Sequence, residues 1–525
     1  MKKKEKISQI KRLSLVIFFL GIVIVSFLSL WRALGFDFWR DDWGNIWDLT
    51  FHPETSIYFD NSATLHRYPG LAVEKVVFTH FFGPNVFDWQ LMGIIFRVVI
   101  SLSVALMLYG MTRSKTVGIL VGLFSASLVG GLESVTWISA NSRAIFIIFL
   151  TVGIYFWVKS LDSGIIKEYV LSLIFLCVAV IAAPAEGLLV FPVAVLWDFL
   201  TWIRVRNKVI FQKIAVRVFV LGVLLVFTIN RLNFWLRLFT SGGIVNSVGS
   251  VFTNPDLIKN YVSSLGNLLT SWIYQTDEPI SLGNRTIFNQ SVGVFFVFVT
   301  LLIVIFFLKK RSRNLQVATL FLAWMFLFYL PNWLYEKTLV VGSSHRYVAV
   351  SSVAFASLIT LLIYKFRSKY LILFSSLFII LNIIASNKLL EKISTYRSSK
   401  IIEPIWSQIN SQVTPGQKGM IFMYQGTDLV WGTSMNWSGS VPFGIKRGIS
   451  NADDLPIITG DKQLIVKLLC EKNVYRPTLG GWIYQKDRIP TSHLYAWSWN
   501  GKVLTDISQT ERELFTKEAP CKVLP

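Results

Sequence analysis

The chain has 525 residues, of which 53% are hydrophobic, 15% aromatic and only 15% charged. That balance excludes an ordinary soluble enzyme and describes a polytopic membrane protein. The net charge of +21, from 51 Lys and Arg against 30 Asp and Glu, would suggest a nucleic-acid partner in a soluble chain. Here the basic residues fall in short connectors between apolar runs, which excludes that reading and makes them topology signals.

Residues 13–34 form the first apolar run, and roughly 20 residues at 1.5 Å each cross the hydrocarbon of a bilayer. The run is too long for a signal-peptide core and has no small-residue cleavage pattern, so it is expected to remain as an anchor. It gives way to Arg40-Asp41-Asp42-Trp43. The two carboxylates therefore sit at or just above the membrane surface, where they avoid the ~2.5–3.5 kcal/mol that an ionised Asp meets at mid-bilayer. Such a pair suits a base or a metal ligand for chemistry on a lipid-borne substrate. The plainer alternative is an acidic loop that keeps this end outside. Trp39, Trp43 and Trp47 recur every four residues and are expected to share a helix face, as an interfacial aromatic belt or as a platform for sugar stacking. His66 and Arg67 follow in the same outer loop, 35–88. Arg67 suits a phosphate grip, or equally an ion pair with Asp41, Asp42 or a lipid headgroup. Leu71, Val73, Val76, Val77, Phe81 and Phe82 then form an amphipathic stretch expected along the membrane surface, ahead of a second span near Trp89.

The basic connectors lie at 2–12, 113–115, 159–167, 204–217, 309–313 and 365–369, and the positive-inside rule makes them cytoplasmic. The connectors around 35–88, 133–143, 183–187, 230–290 and 335–345 are poorer in Lys and Arg and are expected to face outward. The runs between them predict about eleven spans, near 13–34, 89–111, 116–132, 144–158, 169–184, 187–203, 214–229, 291–308, 315–334, 346–364 and 370–387. The amino terminus is then cytoplasmic and the carboxyl terminus extracytoplasmic. Residues 256–275 carry Leu257, Tyr261, Leu265, Leu268, Leu269 and Trp272 at helical spacing. A span there would put Lys309, Lys310, Arg311 and Arg313 outside, so a helix lying on or dipping into the outer surface is expected.

After about residue 388 the composition turns soluble, which divides the chain into a membrane domain, 1–387, and an extracytoplasmic domain, 388–525. In the latter, 419–424 reads as a strand, 463–469 as a helix and 495–507 as a hairpin turning at Asn500-Gly501. A small mixed α/β unit follows from these elements. Cys470 and Cys521 are the pair available there for a disulfide, which an oxidising exterior would favour. Cys177 lies inside a predicted span.

Taken together, these segments resemble the GT-C superfamily of membrane glycosyltransferases, in particular its protein O-mannosyltransferase-like branch. The matching elements come in order: the acidic pair Asp41-Asp42 after the first span; Arg67-Tyr68-Pro69; Phe82-Gly83-Pro84-Asn85; Glu133-Ser134-Val135-Thr136-Trp137-Ile138-Ser139-Ala140, similar to a Glu-x-Val-x-Trp-Ile-Ser-Gly element; Glu186 with Phe191-Pro192 and Asp198; and Arg346-Tyr347 with Ser351-Ser352. The chain departs from the pattern at Asn141 and Arg143, where relatives often have Arg and then Asp, and at Ala185, where a Lys is common. The domain after 388 is not covered.

The resemblance implies an all-α polytopic bundle of the GT-C type that transfers a sugar, with inversion, from a polyprenyl-phosphate donor to a glycan, protein or lipid acceptor on the outer face of the cell membrane. The transition state has oxocarbenium character, so a base must act on the acceptor hydroxyl and positive charge must meet the departing phosphate. Asp41 is the expected base, because the first acid of the pair usually carries that role in the family, and Asp42 its partner in orienting the acceptor or a cation. Arg346 with His345 is the expected phosphate site, with Arg143 and Lys337 next. His66, Arg67, Trp43, Glu133 and Trp137 are the expected substrate contacts. A divalent cation bridging Asp41 and Asp42 is chemically compatible, since hard cations favour carboxylates and water, but no cofactor is required by the sequence. The rival class is a transporter or flippase of a lipid-linked saccharide. It would not need the carboxylate pair or the large outer loop, and it would often show internal symmetry, which is not found here. A purely structural membrane protein leaves Asp41-Asp42 without a role.

Overall fold

The computed structural model describes residues 2–39, 41–52, 75–187, 189–229, 255–272, 285–335, 345–426, 430–431, 435, 439–478 and 481–525. His66, Arg67 and Lys337 lie outside the described residues. Most of the chain is helical, with a small sheet near the carboxyl terminus.

Each expected span coincides with a helix. These are α1 (Lys2–Leu30), α3 (Val86–Thr112), α4 (Lys115–Ser127), α5 (Asn141–Ser163), α6 (Ile166–Ala182), α7 (Val190–Val205), α8 (Lys208–Ile229), α10 (Arg285–Lys310), α11 (Arg313–Tyr335), α12 (Ala349–Ile363) and α13 (Ser368–Arg397). Among the described residues seven apolar helical stretches are long enough to cross a membrane unaided, and Lys115–Ser127 is a shorter apolar helix. Between α1 and α3 stands the short helix α2 (Asp41–Phe51), and between α8 and α10 stands α9 (Pro255–Leu269). α9 covers the stretch expected on the outer surface. It packs on α10 at Gly266 and Gly293, where a Cβ would collide with the carbonyls of Asn289 and Val262.

Local chemistry sets the helix limits. Asn85 caps α3 by accepting from the amide of Phe87, and Ser114 caps α4 by accepting from that of Val117. α5 ends at Gly164, whose φ of 73° is the left-handed conformation that closes helices. At 23 residues α5 is about 34 Å long, a membrane thickness. Its first turn lies beside Ser139 and its last beside Asp162, so those residues mark opposite ends of the bundle.

α13 extends well past the expected span, because its buried positions Ser386, Leu389, Leu390, Ile393 and Arg397 keep helical period. α14 (Ser399–Gln412) then leads into the sheet. The strand order is β2 (Ile457–Thr459), β1 (Ile421–Gln425), β5 (Leu494–Trp499), β6 (Leu504–Asp506), parallel except for the β5/β6 hairpin. β3 (Val474–Thr478) and β4 (Gly481–Gln485) form a separate hairpin. Alternation splits the sheet into two faces. Ile421, Met423, Leu494 and Ala496 pack with Ile465, Leu468, Leu469 and Phe515, whereas Phe422, Tyr495 and Trp497 join the large core that also takes in α14 and the membrane helices. The β5/β6 turn is organised by Asn500, whose side-chain oxygen accepts from Lys502 and Val503, with Gly501 at φ 90°. Cys470 and Cys521 form a disulfide, with Cα atoms 5.7 Å apart.

Candidate functional site

Two groups of polar residues gather at the end of the bundle that carries α2, and segment 133–140 holds both. Two close approaches fix that segment. Gly93 in α3 abuts the carbonyl of Val135, and Gly131, at φ 70°, abuts Ala349, leaving no room for a side chain at either glycine.

The first group is centred on Asp42, at the start of α2 and fully buried. Its Oδ1 accepts from the amide of Ser139 at 2.7 Å and from the Ser139 hydroxyl at 2.7 Å, and its Oδ2 accepts from the amide of Trp39 at 3.0 Å. Arg397, only 4% exposed, brings its guanidinium to 3.8 Å from Oδ2 and donates to the carbonyl of Thr136 at 2.6 Å. Its charge also lies over the rings of Phe36 and Trp39. Burial pushes the Asp42 carboxyl up in pKa, against the pull of Arg397 and of the Ser139 and Trp39 donors. Both carboxylate oxygens thus accept hydrogen bonds within the protein, and this geometry ties α2 to segment 133–140 through Asp42. Asp41 is the adjoining residue at the amino-terminal turn of α2. Among the described residues no group of three or more His, Cys, Asp or Glu stands ready to hold a metal.

The second group joins residues far apart in sequence. Glu133 accepts from the backbone amide of Arg346 at 3.1 Å, and His345 stands 3.9 Å from the same carboxylate. Arg346 lies over Trp137 at 4.1 Å and over Tyr347 at 5.0 Å, while Arg143 lies over Tyr347 at 4.7 Å and pairs with buried Glu186 at 3.2 Å. Two guanidiniums therefore flank one tyrosine ring. Burial, then the charges of Arg346 and Arg143, drive His345 well below the usual imidazole range. It is neutral, so its contact with Glu133 is not an ion pair. Its Nδ1 accepts from the Tyr347 amide and caps the turn that leads into α12.

Of the expected site residues, Asp42, Glu133, Trp137, Arg143, His345 and Arg346 all come to segment 133–140 or its immediate partners. Trp43 does not project as a free platform: it sits edge-on to Phe38 at 5.0 Å and packs in small clusters with Ile46, Trp47 and Ile445. The shared tryptophan face is also corrected. Trp39 precedes α2 and packs against Tyr396, whereas Trp47 donates from its indole to the carbonyl of Ile449 at 2.9 Å and so docks α2 on the segment that follows β1. His52 makes a second such contact, to the Ser450 carbonyl at 2.7 Å.

Sequence reasoning missed Arg397 and Asp37. Asp37 accepts from the amide of Phe38, and its own amide donates to the carbonyl of Arg397 at 2.8 Å. Its carboxyl is raised to about 7, chiefly by burial and further by Glu403, against the Phe38 amide, Arg397 and Lys446. The signal for Arg397 was the apolar period of α13, which continues ten residues past the expected end of the span and places this one arginine on the buried face.

No family model matches the chain, and no curated protein matches it. Among solved structures it is similar to two crystal structures of the oligosaccharyltransferase of Archaeoglobus fulgidus. One is a complex with zinc and sulfate, with TM-score 0.48 and 13% identity, covering 87% of this chain and 64% of that one. The other is tethered through a disulfide to an acceptor peptide containing an NVT sequon, with TM-score 0.45 and 12% identity, covering 84% and 63%. The chain thus spans a little under two thirds of the length of those structures.

Proposed function

We propose that the chain is an integral membrane glycosyltransferase of the GT-C type, which takes a sugar from a polyprenyl-phosphate donor and passes it, with inversion, to an acceptor on the outer face of the membrane. The observation that carries the reading is the shared scaffold: segment 133–140 binds Asp42 through Ser139 and packs Trp137 beneath Arg346. An acidic turn and a cationic cluster are thereby held on one short piece of chain. That is the pairing a glycosyl transfer from a lipid phosphate requires, a base on one side and positive charge for the leaving group on the other.

In this reading Asp41 takes the proton of the acceptor hydroxyl as its oxygen attacks the anomeric carbon. The bond from that carbon to the donor phosphate oxygen breaks, and the phosphate leaves with the electron pair. Arg346, supported by Arg143, meets the developing charge; its planar fork can grip two phosphate oxygens at once. His345 and Glu133 hold the turn that presents Arg346. Asp42 and Arg397 position the acidic turn.

The test is to incubate the purified protein with radiolabelled polyprenyl-phosphate sugars and a membrane or wall extract. Transfer by the parent, loss of turnover in Asp41→Asn and unchanged thermal stability of that variant are expected. Transfer at the parent rate by Asp41→Asn would remove Asp41 as the base, and no transfer by the parent from any of the donors would make a transporter the better reading.

A further inference from the structure

We infer that the opposite end of the bundle carries a binding site for the phosphate of an anionic phospholipid, built from Arg113, Arg204, Arg311 and Arg313 around Asp162. This site does not rest on the glycosyltransferase reading.

The ends of α3, α5, α7 and α10 and the start of α11 meet here. Arg113 and Arg313 both bring an Nη2 to the same oxygen of Asp162, each at 2.9 Å. Arg204 lies within electrostatic reach of Arg313, Asp162 and Arg113, and Arg311 is two residues from Arg313. Two guanidiniums thus contact one carboxylate, a third lies within electrostatic reach of it, and Arg311 adds another positive charge two residues from Arg313. Two of these, Arg204 and Arg311, keep a buried Nε with no hydrogen-bond partner among the described residues. A buried donor left unpaired is unfavourable unless something outside the protein completes it.

Part of the cluster is explained by structure alone. Arg313 donates to the carbonyls of Met111 and Gly110, satisfying the carboxyl end of α3 as cations do at helix ends. Arg113 and Arg311 are not explained this way. Each ends its helix in the left-handed region, at φ 58° and 49°, a position where glycine is the favoured residue. Retaining arginine there forfeits a better backbone fit for a charge. Arg113 is also the more exposed of the Asp162 partners, with 65% of its side chain open.

The ligand chemistry is a phosphate, and a lipid is the source the surroundings favour. The cluster lies at helix ends, level with headgroups, and neighbouring Val205 and Leu308 turn bare apolar side chains outward where acyl chains would run. Basic pockets between membrane helices on the cytoplasmic side bind anionic headgroups by this geometry.

The test compares the full-length parent with the double variant Arg113→Gly, Arg311→Gly, leaving Arg313 in place. Both are titrated with phosphatidylglycerol, with phosphatidylcholine and with inorganic phosphate, and bound lipid is counted by native mass spectrometry. The parent should retain phosphatidylglycerol over phosphatidylcholine, and the variant should lose that retention by about 30-fold, from ~1 kcal/mol per basic residue near an anionic surface. Its melting temperature in phosphatidylcholine should hold or rise, because glycine fits the left-handed positions. If the double variant does not fold, Arg204→Gln alone should weaken retention about fivefold on the same scale. Equal phosphatidylglycerol retention by parent and variant overturns the proposal. Displacement of phosphatidylglycerol by millimolar inorganic phosphate also overturns it, since the site would then belong to soluble phosphate.

Discussion

Replacing Arg397 by Met should destabilise the protein in a way that grows with pH. The side chain is 4% exposed, and its guanidinium is the positive charge 3.8 Å from fully buried Asp42. Met keeps much of the aliphatic stem but removes the charge-assisted bond to Thr136 and the stacking on Phe36 and Trp39. The bond alone contributes about 1.5–3 kcal/mol. Stranding one member of a buried pair brings the expected total to about 3–5 kcal/mol. The sign of the pH effect follows from Asp42. Burial already raises its folded pKa, and loss of Arg397, which opposes that rise, must raise it further. A carboxyl raised on folding is most favourable to the native state at low pH and less so as pH climbs through the raised value. Arg397→Met should therefore unfold closest to the parent at pH 5 and furthest from it at pH 8, measured as midpoints of tryptophan-detected thermal unfolding in lipid nanodiscs. Adding Asp42→Asn should remove the growth with pH and recover at least ~1 kcal/mol of the loss, because contacting members of one network are not additive. Simple additivity of the two substitutions, or a pH-independent loss, would refute the coupling.

Three further outcomes follow from the same geometry. Arg346→Ala should weaken use of the lipid-phosphate donor while the protein stays folded, and Arg346→Lys should recover part of the activity; unchanged turnover and donor KM in Arg346→Ala would move the phosphate site, with Arg143 next in line. Asp37→Asn should flatten the fall in stability between about pH 4 and pH 7: with a folded pKa of about 7 the native state holds a proton that the unfolded chain has released, an effect of up to about 4 kcal/mol, and an unchanged pH profile of the melting temperature would contradict it. Gly93→Ala should displace segment 133–140 and so reduce turnover and stability together, by about 1–3 kcal/mol, whereas a parent-like variant would show that the segment is not fixed by α3.

The helices were legible in the sequence because apolar length and flanking charge are local signals. Of the six basic connectors that the positive-inside rule places on one side, those at 113–115, 159–167, 204–217 and 309–313 meet at one end through the contacts of Arg113 and Arg313 with Asp162 and of Lys213 near Gly164. The Asn500 turn was legible for a similar reason, and the disulfide because Cys470 and Cys521 are the two cysteines after residue 388. What could not be read was which polar residue faces which. Asp41 and Asp42 are neighbours of one type, and only the three-dimensional arrangement shows that Asp42 spends both oxygens on Ser139 and Trp39. Trp39 and Trp47 have the right spacing for one helix face, yet the helix begins between them, at Asp41. Arg397 was hidden because a soluble-looking composition starts inside a helix whose apolar period is still running.

The polar residues in the interior of the bundle bear on the choice between enzyme and transporter. Arg217, buried in α8, donates to Asp198 at 2.8 Å, to the Ser160 hydroxyl at 2.7 Å and to the Trp157 carbonyl at 2.8 Å, and stacks on Trp157 at 3.7 Å. Asp198 in turn accepts from the Trp157 indole at 3.0 Å. Every nitrogen of that guanidinium has a partner on another helix, so the pair acts as a clamp joining α5, α7 and α8. A carrier that alternates its access needs interior polar groups that can change partners as the helices rock, and releasing this set would strand a charge at a penalty of about 3–5 kcal/mol. The cationic group at Arg346 and Arg143 is built differently. It lies at one end of the bundle, where Arg346 rests on the faces of Trp137 and Tyr347, and Arg143 rests on Tyr347 and pairs with Glu186. Rocking of α5, α7 and α8 against one another would have to break the Arg217 clamp, whereas a phosphate meeting Arg346 would leave it intact.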